Sequence, residues 1–294
     1  MTRIDLHLHS TYSDGSCSPA EVVRRAHRSQ VSALALTDHD TTDGLAEASI
    51  AAAPFHMEII SGVEISSLYK GQETHILGYF INHDDPQLQQ RLASLRNSRH
   101  ERIPKIISKL KALGLNLSYD DVKAAAGPGS IGRPHIAQVL VEKQYVRNGN
   151  EAFSRYLAEG SSAFVARTLP DVAEAIRWIR ECGGVASLAH PNWVRHSLPE
   201  LRVACEELKS FGLEGVEVFY SSHSPRQTSD YLTLARQLEL LVTGGSDFHG
   251  TAKPDIEVGI GKGNLKIPEK ILEELRACAH ENRKASKPTR AIEQ

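Results

Sequence analysis

Short apolar segments alternate with helical patterns along most of the 294-residue chain, and this alternation constrains the fold more than any other feature. From the apolar segments we predict strands at 3–9, 31–37, 57–66, 74–81, 184–189, 213–219 and 240–244. The helical patterns lie at 18–30, 44–53, 171–182, 198–211 and 225–239. Strands that alternate with helices form a mostly parallel sheet covered by helices, so the sequence predicts an α/β fold.

The segment between about 87 and 162 interrupts this alternation, because its patterns are helical and it contains no convincing strand. Pro104 predicts a kink or a restart in a long cationic helix, and the Gly- and Pro-rich segment AAAGPGSIGRPH is predicted to be irregular. We expect this insertion to shape a substrate pocket. The predicted organisation is a barrel at 1–86 and 163–280, an inserted helical subdomain at 87–162 and a polar tail at 281–294.

Composition and cysteine spacing exclude several classes of protein. The formal net charge is −2, so the chain lacks the basic field that is typical of nucleic-acid binding. The four cysteines include no CxxC pair, which argues against a disulfide scaffold or a thiolate zinc site. No apolar run reaches the roughly 18 residues of a membrane span, and the first residues lack the features of a signal peptide. We therefore expect a cytoplasmic protein that contacts no membrane and has no obligatory protein partner.

Histidine and acidic residues occur at or just after the ends of the predicted strands. In the segment DLHLH, strand periodicity places His7 and His9 on one face, where two imidazoles can chelate one ion, although two surface histidines would give the same pattern. Asp14 lies in the loop that leaves this strand. His39 follows the second strand within TDHD, and Asp38 or Asp40 could orient its second ring nitrogen.

The later strands continue this pattern. Glu64 lies among apolar residues in GVEI; a buried carboxylate requires a partner or a metal, although an isolated glutamate could also face solvent. Its two oxygens would allow it to bridge two ions. His75 lies on the next strand, and His190 ends an apolar strand within AHP. Asp247 and His249, the DxH pair, follow the last strand. The complete set of candidate ligands is His7, His9, Asp14, His39, Glu64, His75, His190, Asp247 and His249.

The motifs HLHSTYSDG, LTDHDT, GVEIS, isolated His75, AHP and GSDFH, in this order, resemble the polymerase-and-histidinol-phosphatase (PHP) family. The resemblance covers about 1–85 and 165–265 and implies a distorted (β/α)7 barrel with two or three metal ions at its mouth. It implies one ion held by His7, His9, Glu64 and Asp247. A second would be held by Glu64, His75 and His190, and a third by Asp14, His39 and His249.

The resemblance also implies a metal-dependent phosphoesterase in which a metal-bridging hydroxide attacks phosphorus. Imidazole and carboxylate ligands suit Mn²⁺, Fe²⁺ or Zn²⁺ better than Ca²⁺, and the family favours Mn²⁺. Within the family, the insertion with SRHERIPK and GRPH resembles that of small bacterial members. Those enzymes hydrolyse nucleoside 3′,5′-bisphosphates to nucleoside 5′-phosphates, or trim RNA 5′ ends as 5′→3′ exoribonucleases. A nucleotide, or an RNA 5′ end, is therefore the expected substrate.

Selective removal of a 3′-phosphate requires a second site that binds the 5′-phosphate. Arginine suits phosphate geometry, and positions i, i+3 and i+6 share a broad helical face, although a solvated cationic face gives the same pattern. The predicted second-phosphate site consists of Arg99, Arg102, Lys105, Arg133 and His135. Asn192 and His223 are predicted at the barrel mouth, where either could contact the scissile phosphate, with His223 as a possible acid for the leaving oxygen.

Three alternatives remain open from the sequence. Histidinol-phosphate phosphatase would use the same metal centre but needs an anionic pocket for the substrate ammonium group. An exoribonuclease would need an open groove beyond the first nucleotide. A non-catalytic metal-stabilised module for a polymerase is disfavoured, because each of the nine positions carries a residue able to bind metal.

Overall fold

A seven-stranded sheet with its strands in chain order forms the centre of the computed structural model, which describes residues 3–127, 131–191 and 197–285. The strands are β1 Arg3–Leu8, β2 Val31–Leu36, β3 Glu58–Tyr69, β4 Gln72–Tyr79, β5 Val185–Leu188, β6 Gly215–Tyr220 and β7 Leu241–Gly245. All seven predicted strands are therefore confirmed, with shifts at their ends. The sheet is parallel except at β4, which is antiparallel to both of its neighbours.

The antiparallel strand results from a tight hairpin between β3 and β4. Only Lys70 and Gly71 separate the two strands, and both have positive φ, at 50° and 83°. Two consecutive residues in this region form the turn that reverses a chain directly into an antiparallel neighbour. The predicted mostly parallel sheet is correct on either side of this hairpin, which accounts for the distortion of the barrel.

The sheet nearly closes where β1 meets the segment after β7. The backbone N–H of His9 donates to the carbonyl of Phe248 at 3.0 Å, and the N–H of Asp247 donates to the carbonyl of His7 at 2.8 Å. A parallel bridge also joins Leu8 to Phe248. Closure therefore places the DxH pair from the end of the chain directly beside the HxH pair from its beginning.

Helices surround the barrel. Ser18 caps the first of them, accepting a hydrogen bond from the N–H of Glu21, with Pro19 in the first turn as the sequence predicts. No helix among the described residues is long and apolar enough to cross a membrane. These helices are α1 Pro19–Arg28, α2 Leu45–Ala52, α7 Val172–Glu181, α8 Leu198–Ser210, α9 Pro225–Gln237 and α10 Lys270–Ala285.

Helix α10 is the barrel helix that the sequence analysis did not predict. Its Ile271, Leu275 and Ala279, spaced four residues apart, are buried in one hydrophobic cluster of the barrel, and the helix packs on β5 and β7. This periodicity was a usable signal within a segment of polar composition. The helix also continues through 281–285, the first residues of the predicted polar tail.

The insertion contains its own helices and its own hydrophobic cluster. Buried residues of this cluster run from Ile103 to Ala163, separate from the clusters of the barrel. A π-helical turn, Phe153–Leu157, follows the last of the helices. The helices are α3 Pro86–Ala112, α4 Tyr119–Ala126, α5 Arg133–Glu142 and α6 Gly149–Ala152.

The structure corrects two local predictions within the insertion. Pro104 does not restart the long helix, because α3 continues through it, and the alternative of a kink at this residue stays a prediction. The first half of α3 packs on the barrel and its second half in the insertion cluster, so tertiary packing offsets the roughly 3 kcal/mol cost of an internal proline. The motif GRPH is not irregular, because Gly132 is the N-cap of α5 and Pro134 lies in its first turn.

Candidate active site

The nine side chains predicted as ligands lie together at the mouth of the barrel, and we call them the metal-ligand cluster. Seven of them come from the end of a strand or the loop after it, whereas Glu64 and His75 lie within β3 and β4, so neighbouring strands deliver ligands from across the chain to one place. Within the described residues, four groups have ligand atoms that all lie within 4.8 Å of one another. The groups are His9–Asp14–His39–His249, His7–Glu64–His190, His7–His9–Asp247 and His39–Glu64–His75.

Four ligand atoms match the first ion position that the family resemblance implies. The Nε2 atoms of His7 and His9 are 3.1 Å apart, and each is 3.1 Å from Glu64 Oε2. Asp247 Oδ1 lies 3.5 Å from the first imidazole and 3.4 Å from the second. Ligands at about 2.1 Å in a tetrahedral array are about 3.4 Å apart, so the spacing fits a divalent ion.

Glu64 connects this position to a second one. Its Oε2 faces the HxH pair, whereas its Oε1 lies 2.9 Å from His75 Nδ1 and 2.9 Å from His190 Nε2. The carboxylate is fully buried on β3, where water cannot compensate its charge. This geometry is that of a carboxylate able to bridge two cations.

The third group surrounds Asp14. Its Oδ1 lies 3.3 Å from His249 Nε2, and its Oδ2 lies 3.9 Å from His39 Nε2. Among the described residues, Asp14 Oδ1 and His39 Nδ1 are buried without a hydrogen-bond partner. Buried polar atoms normally have partners, so these two atoms suit contact with a bound ion. His9 also approaches this group, which the ligand assignment by resemblance did not include.

Electrostatic coupling inside the cluster is strong. Burial opposes ionisation of Glu64, but the surrounding imidazoles, His39 and His7 foremost, hold its pKa well below the usual value. Burial likewise opposes protonation of His9 and His75, yet neighbouring carboxylates raise the pKa of each to about 9. The carboxylates thus attract positive charge strongly, and bound divalent ions would replace the imidazole protons.

Asp38 and Asp40 do not orient His39, contrary to the expectation from the sequence. Asp38 accepts hydrogen bonds from the backbone N–H of Ser10 at 2.7 Å, from its hydroxyl at 2.6 Å and from the hydroxyl of Ser13 at 2.5 Å. It therefore fixes the loop that carries Asp14. Asp40 instead turns toward the insertion, as described below.

Three supporting residues were missed by the sequence analysis. Glu217 is fully buried on β6 and contacts His7 Nδ1 at 3.0 Å. The sequence GVEV around it repeats the GVEI around Glu64, and this similarity could have identified it. Tyr220 donates a 2.8 Å hydrogen bond to Asp247 Oδ2, and Lys253 donates to the same oxygen.

A cavity of about 990 Å³ extends from the metal-ligand cluster to the insertion. Four arginines line it, and we call them the arginine cluster: Arg99, Arg102, Arg133 and Arg167. His135 lines the same cavity, and its Nδ1 accepts a 3.0 Å hydrogen bond from the N–H of Gly132. Arg167, which precedes α7, was not predicted; it lies far along the chain from the cationic helix pattern.

Members of the arginine cluster are paired to different extents. Asp40 Oδ2 accepts hydrogen bonds from Arg99 and Arg167, both at 2.9 Å. Arg133 donates to Glu73 at 2.8 Å. Among the described residues, Nε and Nη2 of Arg102 are buried and have no hydrogen-bond partner. Four guanidinium groups face two carboxylates, so the wall carries excess positive charge.

Two other described candidates do not join these residues. Lys105 is exposed on α3 and does not line the cavity. His223 is buried beside Tyr220 and Tyr231, also outside the cavity lining, and its Nδ1–H donates to the carbonyl of Val218 at 2.8 Å. Burial lowers the pKa of His223, which disfavours the protonated form that a leaving-group acid requires. Asn192 lies outside the described residues.

Comparison with known proteins gives consistent matches. The profile of a family described as the PHP domain matches residues 5–168. A 5′-3′ exoribonuclease of Haemophilus influenzae is 38% identical over 247 residues, 84% of this chain and 90% of that protein. A 3′,5′-nucleoside bisphosphate phosphatase of Chromobacterium violaceum is 34% identical over 278 residues, 94% of this chain and 98% of that protein. A solved structure from Bifidobacterium adolescentis, provisionally described as a metal-dependent phosphoesterase, has a TM-score of 0.83 and 30% identity, covering 94% of this chain and 96% of its own.

Proposed function

Because this chain belongs to the PHP domain family and is a hydrolase acting on phosphoric esters, we propose that its substrates are nucleoside 3′,5′-bisphosphates. The enzyme removes the 3′-phosphate and releases a nucleoside 5′-phosphate. The observation that carries this proposal is the single cavity that joins the metal-ligand cluster to the arginine cluster. The relative from Chromobacterium violaceum, which matches over nearly the full length of both chains, bears the name of this activity.

The metal-ligand cluster binds two or three divalent ions in this proposal. Imidazole and carboxylate donors suit Mn²⁺, which we favour, and also Fe²⁺ or Zn²⁺. Three such ions would carry +6, and Asp14, Glu64 and Asp247 would contribute −3, which leaves about +3 to attract a phosphate. When bound, the ions would supply hydroxide near neutral pH and stabilise charge on the phosphoryl oxygens.

The arginine cluster binds the second phosphate. Arg102 is the principal contact, because its buried N–H groups without partners point to an anion of suitable size. Burial and the nearby Arg133 lower the pKa of Arg102, and a bound phosphate dianion would offset both effects. Asp40 keeps Arg99 and Arg167 in place beside it.

A less polar wall of the cavity accommodates the nucleoside. Ala124, Ala125 and Ala137 line this wall together with Val141 and the half-buried ring of Phe153. Small apolar side chains leave room for a flat base, and an aromatic ring offers a face for stacking. All five residues belong to the helices or the π-helical turn of the insertion, as the predicted role of that subdomain requires.

Exoribonuclease action on RNA 5′ ends is the second candidate. It is favoured by the relative from Haemophilus influenzae, which has this name and 38% identity. The chemistry at the metal-ligand cluster would be the same for a diester. Histidinol phosphate fits less well, because Glu73, an acidic residue of the cavity, is already paired with Arg133.

One assay tests these assignments. Purified protein with Mn²⁺ is given nucleoside 3′,5′-bisphosphate, nucleoside 3′-monophosphate, histidinol phosphate or 5′-phosphorylated RNA, and released phosphate or nucleotide is measured. We expect the highest kcat/KM for the bisphosphate and no turnover after chelation. Equal kcat/KM for substrates with and without the 5′-phosphate would contradict the proposed role of the arginine cluster. Faster release of nucleotides from RNA would favour the second candidate.

The enzyme acts in the cytoplasm in this proposal. All four cysteines are free, which suits a reducing compartment. Fractionation of cells that express the tagged protein tests this, and recovery in an oxidising compartment would contradict it.

A further inference from the structure

Glu217 contacts two residues of the metal-ligand cluster without belonging to any of its four ligand groups. Its Oε1 lies 3.0 Å from His7 Nδ1, and its Oε2 accepts a 2.7 Å hydrogen bond from the backbone N–H of His190. The side chain is fully buried. A buried carboxylate with both oxygens directed at donors orients those donors strongly.

The contact with His7 determines which ring nitrogen can bind metal. An ionised carboxylate only accepts hydrogen bonds, so the proton of a neutral His7 must be on Nδ1. Its Nε2 then presents a lone pair toward the position shared with His9, Glu64 and Asp247. The opposite tautomer would place a proton where the ion must lie.

The contact with His190 fixes a backbone that needs support. The backbone φ of His190 is 25°, a value that residues other than glycine rarely adopt. The hydrogen bond from its N–H to Glu217 holds this turn, and its Nε2 lies 2.9 Å from Glu64 Oε1. One carboxylate therefore contacts a ligand on each side of the bridging Glu64.

We propose that Glu217 is a positioning residue that sets the tautomer of His7 and the backbone of His190 for metal binding. This inference rests on the proposed metal-dependent function. A purely structural role would instead stabilise the barrel equally with and without metal. The two roles can be separated by measuring metal affinity and metal-free stability on the same variant.

The variant Glu217→Gln keeps the shape of the side chain but has one acceptor and one NH₂ group. It can accept from only one of its two donors, so either His7 changes tautomer or the N–H of His190 loses its partner. Glu214→Gln is the matched control, because Glu214 Oε2 accepts a 3.2 Å hydrogen bond from the N–H of Ala186 on β5, and Glu214 lies outside the four ligand groups.

The experiment measures the Kd for Mn²⁺ by calorimetry, thermal unfolding in chelator, and kcat with KM at saturating Mn²⁺. For Glu217→Gln we expect the Kd to rise about 10- to 100-fold, as is typical when a residue that orients a metal ligand is changed. We expect an unchanged KM, a kcat that recovers at saturating Mn²⁺, and a Tm in chelator lowered no more than by Glu214→Gln. The control should bind Mn²⁺ as the wild type does.

The possible results separate this inference from the proposed function. If the wild type binds no divalent ion, the metal centre itself is rejected. If the wild type binds Mn²⁺ and Glu217→Gln binds it equally well, only the positioning role fails. If Glu217→Gln does not fold, Glu217→Asp replaces it, because the shorter aspartate side chain cannot reach both His7 and the N–H of His190. Wild-type affinity for Mn²⁺ in Glu217→Asp would also overturn the proposal.

Discussion

The metal-ligand cluster and the arginine cluster line the same cavity, but the chain builds them in different ways. The ligands come from successive strands and the loops that follow them, and hydrogen bonds between neighbouring strands fix their relative positions. The arginines come from α3, α5 and the segment before α7, so their positions depend on how the insertion packs against the barrel. In the proposed function, the barrel provides the chemistry and the insertion determines which phosphate ester is selected.

The two clusters also differ in how their charged groups are paired. Asp40 and Glu73 already neutralise part of the arginine cluster, and Arg102 retains N–H groups without partners. In the metal-ligand cluster, neighbouring groups favour the charged forms of Glu64 and of the imidazoles of His9 and His75. Changes in the first cluster should therefore affect KM, whereas changes in the second should affect kcat and metal content.

The largest effect is expected for Glu64→Gln. Loss of the bridging carboxylate removes a ligand from two ion positions, so kcat/KM should fall by more than the roughly 100-fold seen when only orienting residues are changed. Metal content is measured by elemental analysis together with the kinetics. Glu58→Gln is the control, since Glu58 lies exposed at the start of the same strand and pairs with Arg276. Equal metal content in both variants would refute the bridging role.

Arg102→Ala should weaken binding of the second phosphate by the arginine cluster. Loss of hydrogen bonds from a charged donor costs about 1.5–3 kcal/mol, so KM for the bisphosphate should rise about 10- to 100-fold. KM for the nucleoside 3′-monophosphate should stay the same, because that substrate lacks the second phosphate. Lys105→Ala provides the control on the same helix, since Lys105 is exposed outside the cavity lining. A similar rise for both variants would contradict a specific phosphate contact.

Phe153→Leu should have a smaller effect on substrate selection. Leucine keeps apolar packing in the insertion but removes the aromatic face, and stacking of a base contributes about 1–3 kcal/mol. We expect KM for the bisphosphate to rise about 5-fold or more with unchanged kcat. Phe153→Tyr keeps the ring and should retain the wild-type KM. If both variants behave alike, the nucleoside lies against another wall.

The smallest expected effect is a gradual change with pH in the free energy of unfolding, and it comes from histidines of the metal-ligand cluster. In metal-free protein the pKa of His9 and of His75 is raised from 6.5 to about 9. A raised pKa in the folded state contributes stability that is fully present below 6.5 and lost as the pH rises through 9. We therefore expect the free energy of unfolding in chelator to decline between pH 6.5 and 9.

Protein loaded with Mn²⁺ should not show this decline, because metal ligation requires neutral imidazoles. The gap in unfolding free energy between loaded and metal-free protein should thus widen with pH. Denaturant unfolding at several pH values measures both curves. His75→Asn should reduce the decline in chelator, and an unchanged slope in that variant would argue against the assigned cause.

Predictability from the sequence differed between the clusters for a physical reason. The ligands His7, Glu64 and Asp247 follow strand periodicity and strand ends, which local patterns reveal. Arg99 and Arg102 were found because they share a helix face, but the same pattern included Lys105, which solvent surrounds. Burial depends on what packs against a helix, and this information lies elsewhere in the chain.

The order of the seven strands, the identity of the metal-ligand candidates and the family resemblance were determined by the sequence alone, since each depends on short-range patterns. Tertiary structure decided the rest: the near closure of β1 beside Phe248, the continuation of α3 through Pro104, and the recruitment of Glu217 and Arg167. These features result from packing between residues distant in the chain. Free energies of such contacts exceed local preferences, so local patterns could not predict them.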